Sequence, residues 1–410
     1  MIAMYRVLLI LPTMFLVAGI MISTPSGFVE GINNIRLVGD TTLSDYFEIG
    51  GIGPALINAA VLVYVNILLL YKLDLKPNGI IIAALFLLSG FGLLGKSIYN
   101  TWPFYLGGWI YCKYHNKSYK QVVVINMLST CLAPVCSLFI RIDVYHYVIG
   151  FMLMVIVGAF IGFIMPPISA HAMTMHSGYN LYNMGLAAGL VAMAINAWTE
   201  GAGYRILTPS YLYYGDTTIP MIILSAYCLI IIIIGYILNG KTFKGLKEVY
   251  KYPGRAVTDT IQNVGFGLTL VNMGTNGLVS IIYVIIVGGI FNAPIVAGIC
   301  TIIGFSAFGK HIKNCMPIII GATIASYIIT TIADPYMIIA AALFATALAP
   351  IAGEFGALIG IGVGIIHVFL VVNVSSFHGG LMLYNNGLST GIIATLFVPM
   401  MDAFKRERKI

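Results

Sequence analysis

The chain has 410 residues, of which 60% are apolar and 9% are charged, where an ordinary soluble domain carries about 25% charged residues. That excludes a soluble globule. The net charge of +7 is spread between long apolar runs rather than gathered in one polar patch, which excludes a nucleic-acid partner.

Apolar runs between polar breaks predict membrane segments near 5–22, 51–71, 79–95, 99–112, 121–140, 146–168, 181–198, 218–238, 265–290, 293–309, 316–333, 337–352, 356–375 and 381–401. A bilayer core takes roughly 20 apolar residues per crossing. The short or glycine-broken runs 99–112 and 337–352 are therefore expected to be half-helices or re-entrant hairpins. The expected fold is an all-α polytopic membrane protein with about fourteen hydrophobic segments. Arg6 ahead of the first run suits a signal peptide, but no small-x-small cleavage site follows and the run has a partner in the repeat below, so it reads as a retained helix. The six cysteines show no CxxC pair and no metal-ligand spacing, and no cofactor is expected.

Lys and Arg are retained on the cytoplasmic side of a membrane. With fourteen crossings and an inside N-terminus, seventeen of the 21 basic residues fall inside. These include Lys72, Lys76, Lys113, Lys117, Lys120, the cluster 241–255, Lys310, Lys313 and Lys405, Arg406, Arg408 and Lys409. Arg36, Lys96, Arg141 and Arg205 fall outside. The split predicts a multi-pass protein of the cytoplasmic membrane with both termini cytoplasmic.

The chain also repeats itself. At an offset of 214, Gly51, Gly53, Leu56 and Asn58 match Gly265, Gly267, Leu270 and Asn272, and Asn78 matches Asn292. Further along, Gly90, Phe91, Gly95, Lys96, Asn100 and Pro103 match Gly304, Phe305, Gly309, Lys310, Asn314 and Pro317. Leu132-Ala133-Pro134 matches Leu348-Ala349-Pro350 at 216, and the block 176–190 overlays 378–392 at 202. The chain therefore divides into repeats at 1–214 and 215–410. Seven segments in each make the second copy enter from the opposite side, an inverted repeat.

Three duplicated constellations carry the chemistry. In H-x-G-x-x-L-Y-N, the carboxamides of Asn183 and Asn385 either tie helices together or line a polar cavity with Tyr182 and Tyr384. His176 and His378, just ahead, serve as caps or proton carriers. In G-x-G-x-x-x-x-N, Gly51, Gly53, Gly265 and Gly267 let a helix begin inside the membrane, with Asn58 and Asn272 one turn in; Gly178 and Gly380 break the chain similarly. Lys96 and Lys310 either cap carbonyls at a helix end or draw an anionic solute into a vestibule. Glu354 lacks a repeat partner. No nucleotide, hydrolase or metalloprotease motif is present.

The duplicated blocks HSGYNLYNMG and HGGLMLYNNG resemble an uncharacterised family of bacterial and archaeal membrane proteins of about this length, built from a repeated region. G-x-G-x-x-x-x-N and G-Y-N are more loosely similar to the paired signatures of urea transporters, which are inverted-repeat channels. Asn58-Ala59 and Asn272-Met273 stand where that family has Asn-Pro. The expectation is a channel or secondary transporter for a small polar or anionic solute, with its path between the repeats, rather than an enzyme. The expected partners are the solute and the lipid bilayer, with room for a homo-oligomer. A membrane enzyme acting on a lipid-linked substrate, or a sensor or assembly partner, is the alternative.

Overall fold

The computed structural model describes residues 1–38, 40–141, 147–206, 208–329 and 334–404, without the side chains of Ile140, Arg141 and Asp402. The basic cluster 405–409 and part of the first-half insertion around 138–151 lie outside the described residues. Within them the chain is helical, with only isolated bridges between extended segments.

In the first half, the turn Ile2–Leu8 leads into α1 (Ile10–Ile22), followed by α2 (Pro25–Leu37), α3 (Ile52–Lys72), α4 (Gly79–Phe91) and α5 (Ile98–Tyr114). Next come α6 (Val123–Ser129), α7 (Ala133–Arg141), α8 (Tyr147–Met175) and α9 (Asn183–Gly201). The second half repeats the series as α10 (Thr218–Leu238), α11 (Phe266–Ile286), α12 (Ala293–Phe305) and α13 (Ile312–Ile328). It closes with α14 (Pro335–Ala345), α15 (Ala349–Phe355), α16 (Ala357–Phe377) and α17 (Asn385–Ala403). Among the described residues, seven helical spans are long and apolar enough to cross a membrane, and four apolar helices are shorter. Exposed large apolar residues such as Met21, Ile156, Phe160, Ile233 and Ile237 give the outer helices a surface suited to lipid.

The short helices differ from expectation. The run 99–112 is one 17-residue helix, α5, whereas α4 and α12 have only 13 residues, about 20 Å at 1.5 Å per residue against a core of about 30 Å. Apolarity conceals their ends, because the turn after α4 contains Leu93 and Leu94, both buried. The run 337–352 is broken as expected: a 3-10 turn, Thr346–Leu348, separates α14 from α15, and Thr130–Leu132 does the same between α6 and α7. Pro134 and Pro350 lie just beyond these turns, where the missing N–H makes a break cheap.

The halves interlock at equivalent glycines. A Cβ on Gly185 would lie 2.5 Å from the Cα of Gly387, and one on Gly387 would lie 2.9 Å from that of Gly185. Gly90 of α4 meets Ala297 of α12, while Gly304 of α12 meets Ala83 of α4. Only glycine permits backbones so close.

Hydrogen bonds sort the loops into two ends. Tyr5 donates to the Leu75 carbonyl, the Asp259 carboxylate accepts from the Gly79 N–H, Arg255 donates to Ser177 O, and His311 pairs with Tyr252 O. Those contacts gather the Lys-rich loops. At the other end Thr41 donates to Pro209 O, Thr42 to Met382 O and Tyr214 to Asp334, and the Phe291 N–H donates to Thr217. Neither Lys96 nor Lys310 belongs to an end: both side chains are 0% exposed.

Candidate functional site

The site is assembled from the turns after the two short helices. Gly95 (φ 81°) and Gly309 (φ 108°) turn the chain back after α4 and α12 in a left-handed conformation that disfavours any side chain. Each turn is stitched to the first long helix of its own half. The Asn58 amide donates to the carbonyls of Gly92 (2.7 Å) and Lys96 (2.8 Å), and that of Asn272 donates to Ser306 (2.9 Å) and Lys310 (2.8 Å). These asparagines hold the lysine-bearing turns in place.

The lysines then cross to the opposite copy. Lys96 Nζ donates to Tyr384 Oη at 2.6 Å, and Lys310 Nζ donates to Tyr182 Oη and to Thr346 Oγ1. Each ammonium also lies over aromatic faces. Lys96 is 4.5 Å from the Tyr384 ring centroid and 5.5 Å from Phe91; Lys310 is 4.4 Å from Tyr182 and 5.3 Å from Phe305. Cation–π contacts of this kind recover part of the cost of burying a charge. Among the described residues the only ion pair is Lys251–Glu248 on the surface, so no carboxylate neutralises either lysine.

The tyrosines are presented by extended segments that also cross between copies. The Leu181 N–H donates to Ala347 O and the Leu383 N–H to Cys131 O, both carbonyls lying within the 3-10 turns. Behind them Asn183 Oδ1 pairs with His176 Nε2 (2.9 Å), and Asn385 Oδ1 with His378 Nε2 (3.0 Å). Asn183 also donates to Ser169, and Asn385 to the Val371 carbonyl.

Between the copies lies a cavity of about 380 Å³. Tyr182, Tyr384 and Asn183 line it, as do Asn78, Lys120, Gln121, Ser169 and Asn386. Asn58, Asn272, Asn385, His176, His378, Lys96 and Lys310 do not; the two lysines sit behind the tyrosines. Gly51 (φ 85°) and Gly265 (φ 86°) break the chain ahead of α3 and α11. Gly53 and Gly267 lie where those helices cross α1 and α10, against Gly19 and Gly235 respectively. Gly178 (φ 81°) fits against the Ala256 carbonyl and Gly380 (φ 73°) against Thr208. The exposed Glu354 lies away from the cavity. No group of three or more His, Cys, Asp or Glu able to hold a metal occurs among the described residues.

A profile described as "Protein of unknown function (DUF1576)" matches residues 24–200 and 238–403. The chain belongs to the DUF1576 family. The two matched blocks fall on the two copies of the duplicated region, so the DUF1576 sequence pattern covers both walls of the cavity. No curated protein and no solved structure matches the chain.

Two features of this DUF1576 member escape a reading of its repeats. Asp45 and Asp259 stand at the 214 offset, a signal that was available. Each caps the turn before its long helix and reaches across to the first N–H of the other copy's short helix, Asp45 to Ala293 and Asp259 to Gly79. The other feature is a buried chain behind Asn386, in which His367 Nε2 pairs with Asn386 Oδ1 and His367 Nδ1 with Ser389 Oγ. Met165 occupies the repeat position of His367, so no internal match could reveal it.

Proposed function

We propose that this protein is a secondary transporter of the cytoplasmic membrane, built from two inverted repeats, that carries a small polar or anionic solute through the cavity between them. The supporting observation is an asymmetry between equivalent positions. Asn78, Ile80, Val124 and Ile125 are partly exposed and line the cavity, whereas their repeat counterparts Asn292, Pro294, Ala340 and Ala341 are buried and do not. One side of the interface is open and its repeat mate is shut, as expected of a carrier resting with one vestibule accessible.

The inverted arrangement draws support from α4 and α12, whose contacts Gly90–Ala297 and Ala83–Gly304 run in opposite register, so these equivalent helices are antiparallel. The open side carries Lys120 and the Lys-rich loops, which by the positive-inside rule face the cytoplasm. Both termini are then cytoplasmic and the vestibule faces inward. Transport is favoured over catalysis because the lysine–tyrosine pairs and the asparagines that hold the lysine turns are duplicated, whereas catalysis calls for an asymmetric constellation.

Uptake into proteoliposomes, screened over small amides and anions with and without proton or sodium gradients, tests the proposal. Saturable uptake that depends on the protein is expected; absence of flux for every solute, with the protein monodisperse, contradicts it.

A further inference from the structure

We infer that the cavity is a binding site for an organic monoanion with an apolar body, its anionic head held by the phenols of Tyr182 and Tyr384 with Lys310 and Lys96 behind them. This deepens the transport reading and rests on it. The chemistry begins with the direction of the buried hydrogen bonds. In its ammonium form, which a bound anion favours, a lysine is donor only, so each tyrosine oxygen then accepts from its lysine and the phenol proton is left to be given away. The Tyr384 proton has no acceptor among the described residues, while the Tyr182 phenol lies beside the Thr346 hydroxyl. Both tyrosines are among the residues that line the cavity. A phenol polarised by an ammonium on one side is a strong donor on the other, and charge-assisted hydrogen bonds favour an anionic acceptor.

Charge balance points the same way. Two fully buried lysines from opposite copies converge on this cavity wall without a carboxylate partner, and burying an uncompensated cation is costly. An anion lodged against the tyrosines offsets that cost; a cationic solute adds to it. The remaining walls define the body of the ligand. Leu87, Phe91, Leu128, Met184, Phe305 and Phe344 are apolar, and a cavity of about 380 Å³ accommodates a small organic molecule. At the mouth, Lys120 lines the opening, and the preceding loop brings exposed Lys113 and Lys117 without an acidic residue, a field that draws anions inward.

The test is calorimetric titration of the purified full-length protein with three probes of one shape: hexanoate, hexanamide and hexylammonium. Hexanoate is expected to bind at least tenfold more tightly than either other probe. Tyr384→Phe and Tyr182→Phe each remove a phenol proton while keeping the ring; each also takes an acceptor from a buried lysine and so lowers the melting temperature, and each is expected to weaken hexanoate tenfold or more when measured at a temperature where the variant is folded and monodisperse. Leu128→Trp, which fills the cavity without touching the tyrosine–lysine pairs, is the second variant and should abolish binding. No binding of hexanoate, equal binding of hexanamide or hexylammonium, or full affinity in the Tyr→Phe or Leu128→Trp variants overturns the inference. Hexanoate binding without flux of any solute removes the transport reading and leaves the anion site standing; flux of a neutral solute with no hexanoate binding does the reverse.

Discussion

The two sides of the repeat interface are made from matching residues and differ in what lies over them. On the shut side α2 packs on its own half, and the segment 40–45 and the linker 209–217 close over the interface. Asp45 is fully buried there, accepting backbone N–H groups from Phe47, Tyr213 and Ala293. Tyr213 stacks edge-on against Phe47, and its carbonyl accepts from Asn292. On the open side, the stretch equivalent to α2, residues 239–251, holds only the single turn Leu246–Val249, and Asp259 is partly exposed. The duplicated residues build the machinery, and the linker 209–217 together with the differing structure of equivalent flanking stretches decides which half is covered. Repeated parts thereby yield an asymmetric molecule, as the proposed transport by alternating access requires.

The most disruptive change strikes what the two sides share. Gly185→Leu drives a side chain into the Gly387 backbone, and overpacking of this kind costs about 1–3 kcal/mol or more. The expected outcome is loss of the monodisperse peak in size-exclusion chromatography, with Gly387→Leu behaving alike. A folded Gly185→Leu protein would mean that the helices do not meet there.

Next come the paired asparagines. Asn58→Ala and Asn272→Ala each remove two buried hydrogen bonds to carbonyls, at about 1–3 kcal/mol, so both should lower the melting temperature to a similar degree. A marked inequality would show that the two lysine turns are not held alike. Asn183 and Asn385 sharpen the comparison, because only Asn183 lines the open cavity. In a carrier both sides take their turn, so Asn183→Ala and Asn385→Ala should each cut flux by about tenfold, roughly one lost polar contact, with folding retained. Loss confined to Asn183→Ala would indicate a fixed one-sided pocket.

The smallest effect is one of pH. Burial pushes the Asp45 carboxyl up to about 7, against the pull of its three backbone donors. Since an unfolded aspartate ionises near 3.9, the folded chain keeps a proton that the unfolded chain has released. Asp45 therefore favours the folded state most at low pH, and that contribution is lost as pH rises through about 7. Melting temperatures measured from pH 5 to 8 should fall more steeply for the native protein than for Asp45→Asn. Parallel slopes would remove Asp45 from the account.

Much of this was legible in the residues, and what was not has a physical reason. Offsets in the chain pair Lys96 with Lys310 and Tyr182 with Tyr384, but a self-comparison links equivalent residues, not the crossed contact of Lys96 with Tyr384. Positive-inside counting placed the two lysines on opposite faces, whereas both are buried between the copies. Asn58 reads as a polar group in an apolar span; its partners lie 34 and 38 residues along the chain, beyond any local pattern. The end of α4 at Phe91 was hidden because the buried turn after it is as apolar as the helix.

Cysteine accessibility at one equivalent pair tests the central claim most directly. In a background lacking reactive cysteines, Val124→Cys, on the cavity wall, and Ala340→Cys, buried at the equivalent position, are exposed to a membrane-impermeant thiol reagent from each side. The account predicts rapid labelling of Val124→Cys from the cytoplasmic side alone, slow labelling of Ala340→Cys from the opposite side alone, and rates that shift in opposite directions when transported solute is added. Labelling of both positions from the same side, or of each from both sides at once, would contradict it.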